Sequence, residues 1–600
     1  MRLSGADFII SSVGKHKKDV GAILHRDGVS FRVWAPFAKG VAVAGTFNAW
    51  QPIPLASEND GYWAGFVKDA EAGAEYRYVI DTGAQQVYKN DPRALQVTTN
   101  AGNSVVVDPH FDWGGQKFVG TTFNKLVAYE MHIGTFNRVD PSTPGTFDAA
   151  IEKLDYLAGL GINMIELMPV GSMPNDRGWG YATDFIYAVE SLYGGRHGFL
   201  EFIKAAHQRG IGVTLDVVYN HFGPDGLDLW QFDGWSENGK GGIYFYNDWR
   251  SATPWGDVRP DYGRQEVRQF IYDNVRMWVH DFHLDGIRVD STIFIRNVSG
   301  HNDDPGNDLA DGWQLLQGVT DVARKINPGV LLIAEDSSGN DYITKPKTEG
   351  GAGFSSQWEV NLPFVLRGTL DAANDADRNI TAVANALNRK YNGDVFHRVI
   401  YSDSHDSAAN GGKRINTEIQ PANPTGLYAR QRSLLASVII MTAPGIPMLF
   451  QGEEFMEAGS FNDYKVLDWE KADKFGGIVE AHRHLISLRK NQYDNTRGLV
   501  QHSFNVIHLN EDNKVLAYHR WERGGPCDDV IVVLNFANHV QKDYRIYFPR
   551  DGLWRVRFNS DWRGYSPDFK NTDTKDVQAE HNSGSLDIGP YSAIILSQDS

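Results

Sequence analysis

Carboxylates, histidines and an arginine recur at the ends of short apolar runs through the middle of this 600-residue chain. The clearest run is Asp285-Gly286-Ile287-Arg288-Val289-Asp290. Extended, it sends Ile287 and Val289 to one face and Arg288 and Asp290 to the other. A cation and a carboxylate on one face of an apolar strand are costly to bury in an ordinary core. On this strand alone two readings stand open. One is a buried Arg–Asp pair that ties strands together; the other is a charged nucleophile with a fixed guanidinium beside it, at the carboxyl end of a barrel strand. Comparable runs end in Asp216-Val217-Val218-Tyr219-Asn220-His221, in Ala334-Glu335-Asp336 and in Ser402-Asp403-Ser404-His405-Asp406, and another leads to Gly178-Trp179-Gly180-Tyr181.

The elements that must position these groups follow a regular rhythm. Leu126–Met131 reads as a strand, and Thr146–Leu160 as a helix with apolar Ile151, Leu154, Tyr156 and Leu157. Strand Ile162–Met168, helix His197–Arg209 and strand Ile211–Val218 follow. Strands Gly286–Asp290, Val330–Glu335, Phe354–Trp358, Arg398–Ser402 and Pro447–Phe450 complete eight, with helices such as Arg264–Phe282, Gly312–Ile326 and Ala429–Met441 between them. A βαβα order implies a parallel sheet covered by helices, and eight units close into a (β/α)8 TIM barrel. In a barrel the carboxyl ends of different strands meet at one mouth, so the charged groups above converge there. Packing does not explain them, since a barrel interior is built from apolar layers. The stretch Phe222 to Tyr262, rich in Gly, Trp, Tyr and Asp, interrupts the rhythm as a long inserted loop, the kind that carries function.

Both flanks lack helical periodicity. Val29–Trp34, Val41–Ala44, Tyr62–Val67, Tyr76–Ile80 and Ser104–Val107 read as short strands of an N-terminal β-sandwich, separated by turns such as Glu58-Asn59-Asp60-Gly61. Beyond Gly498, Lys514–Trp521, Asp529–Leu534, Tyr544–Phe548 and Ala593–Leu596 read as a closing β-sandwich domain. The expected division is 1–113, 114–497 with the loop 222–262 inserted, and 498–600, the connector being a Gly/Thr/Asn-rich segment near Gly114–Asn124. The net charge of −17 leaves no basic footprint for nucleic acid or an anionic membrane. Cys527 is the only cysteine, so no disulfide forms within the chain and cysteine-based metal sites are excluded. The N-terminal run MRLSGADFIISSVGKHKKD is too short in apolar residues for a signal peptide or membrane span, and a cytoplasmic protein is expected.

DVVYNH, GIRVD, an apolar strand ending in AED, and SDSHD, in that order on the expected strands, resemble the four sequence regions of the α-amylase family of glycosidases. Phe31-Arg32-Val33-Trp34-Ala35-Pro36 with Ala44-Gly45-Thr46-Phe47-Asn48-Ala49-Trp50 resembles the glycogen-binding-type module that precedes the barrel in starch-branching and debranching enzymes. We take Trp34, Trp50 and Trp63 as sandwich core in preference to sugar platforms.

The resemblance implies roles residue by residue. Asp290 becomes the nucleophile, Glu335 the general acid/base, and Asp406 the third carboxylate, holding the sugar before the cleaved bond. Arg288 lies beside the nucleophile; His221 and His405 bind that same sugar; Tyr181 stacks on it and Asp216 orders the site. Such chemistry needs one carboxyl to protonate the leaving oxygen and, in a retaining enzyme, another to attack the anomeric carbon. Arg288 is expected to keep Asp290 ionised, and neighbouring carboxylates or burial to keep Glu335 protonated.

Weaker candidates are His132, Asp336, Glu453 and Glu454 around the mouth, the first two equally readable as structural residues; Trp230, Trp235, Tyr244, Tyr246, Trp249 and Trp255 crowd the inserted loop, some as outer sugar subsites and others as the loop's own core. No cofactor is expected. Calcium is an option only because Asn220 matches a ligand position of some amylases.

The subgroup signals are mosaic. The front module and SHDSAANGGK look like branching enzymes, although Ser407 stands where those carry an acidic residue. DVVYNHFGPDG and GWGYATDF look like hydrolases that release trehalose from maltooligosyl trehalose. Hydrolysis of α-1,4-glucans is the first expectation, branching transglycosylation the second and trehalose release the third, with a non-catalytic glucan-binding protein a remote fourth; the sequence leaves oligomeric state open.

Overall fold

Alternation along eight short parallel strands sorts the middle of the chain into an inside and an outside. In the computed structural model, which describes residues 19–58, 60–98, 102–115, 118–175, 177–223 and 227–600, these strands close into a barrel. They are β1 (Ala128–Met131), β2 (Met164–Leu167), β3 (Gly212–Val217), β4 (Gly286–Val289), β5 (Leu331–Ala334), β6 (Ser356–Trp358), β7 (Arg398–Ile400) and β8 (Ile446–Phe450). Ala128, Met164, Leu331, Ile333, Trp358, Val399, Tyr401, Ile446 and Met448 form one apolar cluster inside. Their sequence neighbours Tyr129, Ile165, Leu332 and Ile400 belong to the larger core under the helices.

Two residues further along the inward face, the apolar layer gives way to Glu130, Glu166, Asp216 and Arg288, all buried. Glu130 lies opposite Glu166, and Asp216 opposite Arg288, in the ladder register. Below Arg288 the inward position is Gly286, where a Cβ would fall 2.3 Å from Thr214 Oγ1, so only glycine lets the neighbouring layer close.

Most expected elements are present with ends moved by a few residues, as capping rather than periodicity sets them. Two differ. The expected helix Thr146–Leu160 is two pieces, Phe147–Ile151 and Leu154–Leu160. The expected helix Arg264–Phe282 is α-helical over Gln265–Arg276 and widens to a π-helix over Met277–Asp281.

The N-terminal region is a sandwich of two sheets. One has the order Gly21–His25, Gly28–Trp34, Tyr62–Lys68, Ala56–Ser57; the other runs Ile53–Pro54, Gly40–Gly45, Glu75–Asp81, Gln86–Lys89, with Ser104–Val105 added. The C-terminal region carries a six-stranded sheet, Ser503–Asn510 to Val577–Ala579, and a pair, Gln541–Tyr547 with Ser583–Ile588. The segment read for a leader is residues 1–19, of which 1–18 lie outside the described residues, as do 59, 116–117 of the connector and 224–226 of the inserted loop.

The inserted loop is held by the N-terminal sandwich. Phe37 stacks on Trp235 with centroids 4.6 Å apart, Trp34 meets Tyr244 edge-on at 5.6 Å, and the Phe37 N–H donates to Asp233 Oδ2 at 2.9 Å. Lys89 Nζ donates to the Trp230 carbonyl at 3.0 Å, and Asn90 Nδ2 to Asp228 Oδ2 at 2.6 Å. Trp34 is therefore core, as expected, but shared between domains. Trp63 donates to the Ala35 carbonyl, while Trp50 is only half-buried.

Candidate active site

The strand that carries Arg288 delivers its guanidinium into the ring of inward carboxylates. Nη1 contacts Asp216 Oδ2 closely and lies 3.4 Å from Asp290 Oδ1; Nη2 lies 3.1 Å from Glu335 Oε2; Nε lies 3.9 Å from Glu166. The Nη2 contact is one of charge rather than an aligned hydrogen bond. The Trp358 ring covers one face of the guanidinium at 4.0 Å. Of the two readings the strand left open, neither excludes the other: Arg288 ties strands β3, β4 and β5 together, and does so at the barrel mouth.

Asp290 is buried beside it. Asn220 Nδ2 donates to Asp290 Oδ2 at 2.6 Å and to its carbonyl at 3.0 Å. Burial pushes the Asp290 carboxyl well above the usual carboxylate range, and the charges of Glu335 and Asp216 push it further; Arg288 and the Asn220 hydrogen bond pull the other way. Arg288 pulls the Asp290 carboxyl toward its ionised form, as expected, but one guanidinium serves three carboxylates and offsets only part of the cost of burial.

The turn after β4 fixes Asp290 to Glu335. Ser291 takes a left-handed φ of 43°, uncommon for a residue with a Cβ, and its N–H donates to Glu335 Oε2 at 2.9 Å. Thr292 N–H and Oγ1 both donate to the Glu335 carbonyl at 2.8 Å. Arg296, one turn on, clasps Asp336 through Nε at 2.8 Å and Nη2 at 3.0 Å. Asp336 is accordingly a fully buried structural partner on the outward side of β5, not a sugar contact.

His405 is built from four sides. Its Nδ1 donates to Glu130, its backbone N–H donates to the other Glu130 oxygen at 3.0 Å, its Nε2 reaches the Tyr181 oxygen at 2.9 Å and Asp406 Oδ1 at 3.4 Å, and its ring stacks on Tyr181 at 5.3 Å. Burial by itself would lower its pKa, but Asp406, Glu130 and the Glu130 hydrogen bond raise it to about 9. The protonated ring donates at both nitrogens, which leaves the Tyr181 hydroxyl free to donate to Asp216 Oδ2 at 2.6 Å. Asp406 itself is 48% exposed, on the open side of the site.

A group whose folded pKa is raised contributes stability that is full below its unfolded value, about 6.5, and fades as pH rises through the folded one. Glu130→Gln should therefore cost about 2 kcal/mol at pH 6, and the deficit should shrink above pH 9. Urea titrations of both proteins at the two pH values check this, and a deficit independent of pH would contradict it.

His221 stacks on Trp255 at 4.5 Å, and its Nδ1 donates to Asn220 Oδ1. Burial lowers its pKa to about 4, so it is neutral. Asn220 has then spent its amide nitrogen on Asp290 and its oxygen on His221, and among the described residues no group of three His, Cys, Asp or Glu could hold a metal ion.

Three weaker candidates turn out to be structural. His132 is buried, with Nδ1 on Thr135 at 3.0 Å and Nε2 on the Gly178 carbonyl at 3.0 Å. Glu453 bonds Ser402 and the Phe450 N–H; Glu454 accepts from Tyr129 and Tyr156. Burial raises Glu453 to about 8 and Glu454 to about 7. In the inserted loop Tyr244 and Tyr246 are buried and Trp230 and Trp235 are half-buried, the last on the N-terminal sandwich, which leaves Trp249 and Trp255 exposed.

Sequence reasoning missed Glu130, Glu166 and Trp358. Glu166 accepts from Trp358 Nε1 at 3.1 Å, and burial raises it to about 8, so it enters neutral pH protonated. All three sit on the inward parity of their strands, which is the signal that could have found them. A cleft of about 690 Å³ opens from Glu335, Trp358, Tyr401 and Asp406 and is walled by helix Asn361–Asp371, with Phe364 exposed.

Known proteins match this chain over most of its length. Residues 131–253 and 227–497 match the alpha amylase catalytic domain, 506–599 the alpha amylase C-terminal all-beta domain, and 19–94 carbohydrate-binding module 48. The 1,4-alpha-glucan branching enzyme GlgB of Corynebacterium jeikeium is 30% identical over 584 residues, covering 91% of this chain and 78% of that protein. Malto-oligosyltrehalose trehalohydrolase of Saccharolobus solfataricus is 29% identical over 497 residues, covering 77% and 79%. In fold, a putative alpha amylase from Salmonella typhimurium superposes with a TM-score of 0.73 at 24% identity, covering 97% of this chain and all of that one. A pullulanase from Anoxybacillus sp. complexed with maltotetraose gives 0.76 at 21%, covering 97% and 87%. The chain belongs to the α-amylase family and is a glycoside hydrolase or transglycosylase, its barrel flanked by a module of the carbohydrate-binding 48 type and by the family's C-terminal all-β domain.

Proposed function

We propose that the chain cleaves α-1,4-glucans with retention and passes the glycosyl group to an acceptor hydroxyl. The observation that carries this is the sharing of Arg288 by Asp216, Asp290 and Glu335, which holds two carboxyls of different surroundings at one mouth. Asp290 attacks the anomeric carbon while Glu335 gives a proton to the departing glycosidic oxygen, leaving a glycosyl ester on Asp290. Glu335 then takes the proton of the incoming hydroxyl as that oxygen displaces Asp290. Protonated His405, Asp406 and Tyr181 hold the hydroxyls of the transferred sugar, His405 supplying charge-assisted donors. Asp216 and Glu130 orient these groups without touching sugar.

A glucan 6-hydroxyl as the acceptor gives branching. The likeness to branching enzymes through both flanking domains, and the wide cleft on the Glu335 side, support that reading. Water as the acceptor, the first expectation from the motifs, is supported by Ser407, which replaces an acidic side chain and is bonded to Ser404. Incubation with amylose and with maltooligosyl trehalose separates the outcomes. Chains released by a debranching enzyme with few new reducing ends indicate branching, reducing ends without branch points indicate hydrolysis, and free trehalose indicates the third reaction. No product from either substrate overturns the proposal.

A further inference from the structure

We propose that the groove between helix Gly476–Arg489 and the C-terminal strand Gly552–Asn559 binds a segment of neutral glucan chain, away from the barrel mouth. The proposal rests on the reading of this chain as α-glucan-active and extends it to a second site. The groove encloses about 450 Å³ and shares no lining residue with the cleft at the mouth.

Two aromatic rings face it, Trp562 at 50% and Tyr493 at 57% exposure. Trp562 is held flat. A Cβ on Gly564 would come within 2.4–2.5 Å of three atoms of its six-membered ring, so the indole lies directly against that glycine. Tyr565 meets the indole edge-on at 4.9 Å and is itself fixed by a 2.8 Å hydrogen bond with His484 Nδ1. The loop is pinned by buried Asp561, which accepts from the backbone N–H groups of Lys570 at 3.0 Å and Thr572 at 2.9 Å. An exposed aromatic held this firmly loses little freedom on binding.

The charges of the groove select the ligand. Arg483 is paired with Glu480 and donates Nε to the Gly159 carbonyl at 2.9 Å; Arg557 is paired with Asp599 and donates Nε to Ser597 Oγ at 2.8 Å. Both cations are neutralised by carboxylates, so the groove offers no net positive field to a phosphate, a nucleotide or an acidic peptide. It offers aromatic faces flanked by paired donors and acceptors, which suits a ring with apolar C–H faces and equatorial hydroxyls. Arg483 also lines a neighbouring cavity of about 430 Å³ with Lys153, Tyr156 and Trp469, so a chain seated on Trp562 can continue along the helix. A polymer held here raises the local concentration of chain at the mouth.

The test uses the full chain carrying Asp290→Asn, so that polymer is not consumed, in affinity gels containing glycogen. Trp562→Ala, Tyr493→Ala and Gly564→Ala should each weaken retention about fivefold or more, and Trp562→Phe should largely keep it. With Asp290 restored, turnover of a short malto-oligosaccharide should be unchanged by the groove substitutions. Unchanged retention in the Trp562→Ala and Tyr493→Ala proteins overturns the proposal. So does a change in sedimentation coefficient with unchanged retention, which would make the groove a contact between copies of this chain. If amylose is cleaved but the Asp290→Asn parent is not retained, the second site alone is lost; if glucan is neither cleaved nor retained, the active-site reading falls with it.

Discussion

Asp290→Asn lowers turnover of amylose by on the order of 10⁴-fold or more, with the melting temperature unchanged or raised. The amide has the shape of the carboxyl but cannot attack an anomeric carbon. It also removes a charge whose burial is opposed by Glu335 and Asp216, so folding loses nothing by the exchange. Arg288 keeps its contacts with Asp216 and Glu335. The complementary result comes from Glu335→Gln with a glucosyl fluoride, whose leaving group departs without a proton. The ester then forms and stalls, and peptide mass spectrometry should find the added hexose on the peptide containing Asp290. Substantial turnover by the purified Asp290→Asn protein, or label on another residue, would remove Asp290 from its role.

The second large effect is on stability. Arg288→Met should cost about 3–5 kcal/mol, because it leaves buried Asp216 and Asp290, with half-buried Glu335 beside them, without their shared cation. Methionine fills much of the space under Trp358 but gives up the cation–π contact at 4.0 Å. Pairing the change with Asp216→Asn should restore part of the loss, since one of the stranded charges is then neutral. Chemical denaturation of the single and double variants measures both numbers. Full stability in the Arg288→Met protein would show that the cluster does not rely on the guanidinium.

The division of labour between sequence and structure follows from range. Period-two alternation is local, so the fate of Ile287, Val289, Arg288 and Asp290 was legible, and eight such runs sufficed for the barrel. The motifs around Asp290, Glu335 and His405 likewise lie on single strands, and the structure brings them together as expected. What could not be read was pairing across the barrel. Glu130 lies 275 residues from His405, and Glu166 lies 192 from Trp358, with no local pattern linking them. Asp336 and Glu454 looked like mouth residues because they adjoin the motif strands; only their partners, Arg296 and Tyr129, show that they point elsewhere. The aromatics of the inserted loop were ambiguous for the same reason, since their partners Trp34 and Phe37 belong to another domain.

That last contact bears on how this chain could be recombined with its relatives. The N-terminal sandwich and the barrel look like separable cassettes when the chain is cut at the connector. Yet the Phe37–Trp235 stack and the Asn90–Asp228 bond make the front module part of the mould in which the inserted loop sets. The same loop carries Trp255, which backs His221. A graft that exchanges the module and leaves the loop behind would separate two halves of one template. The part to exchange is the sandwich together with residues 222–262, although the barrel's first three strands lie between them in the chain.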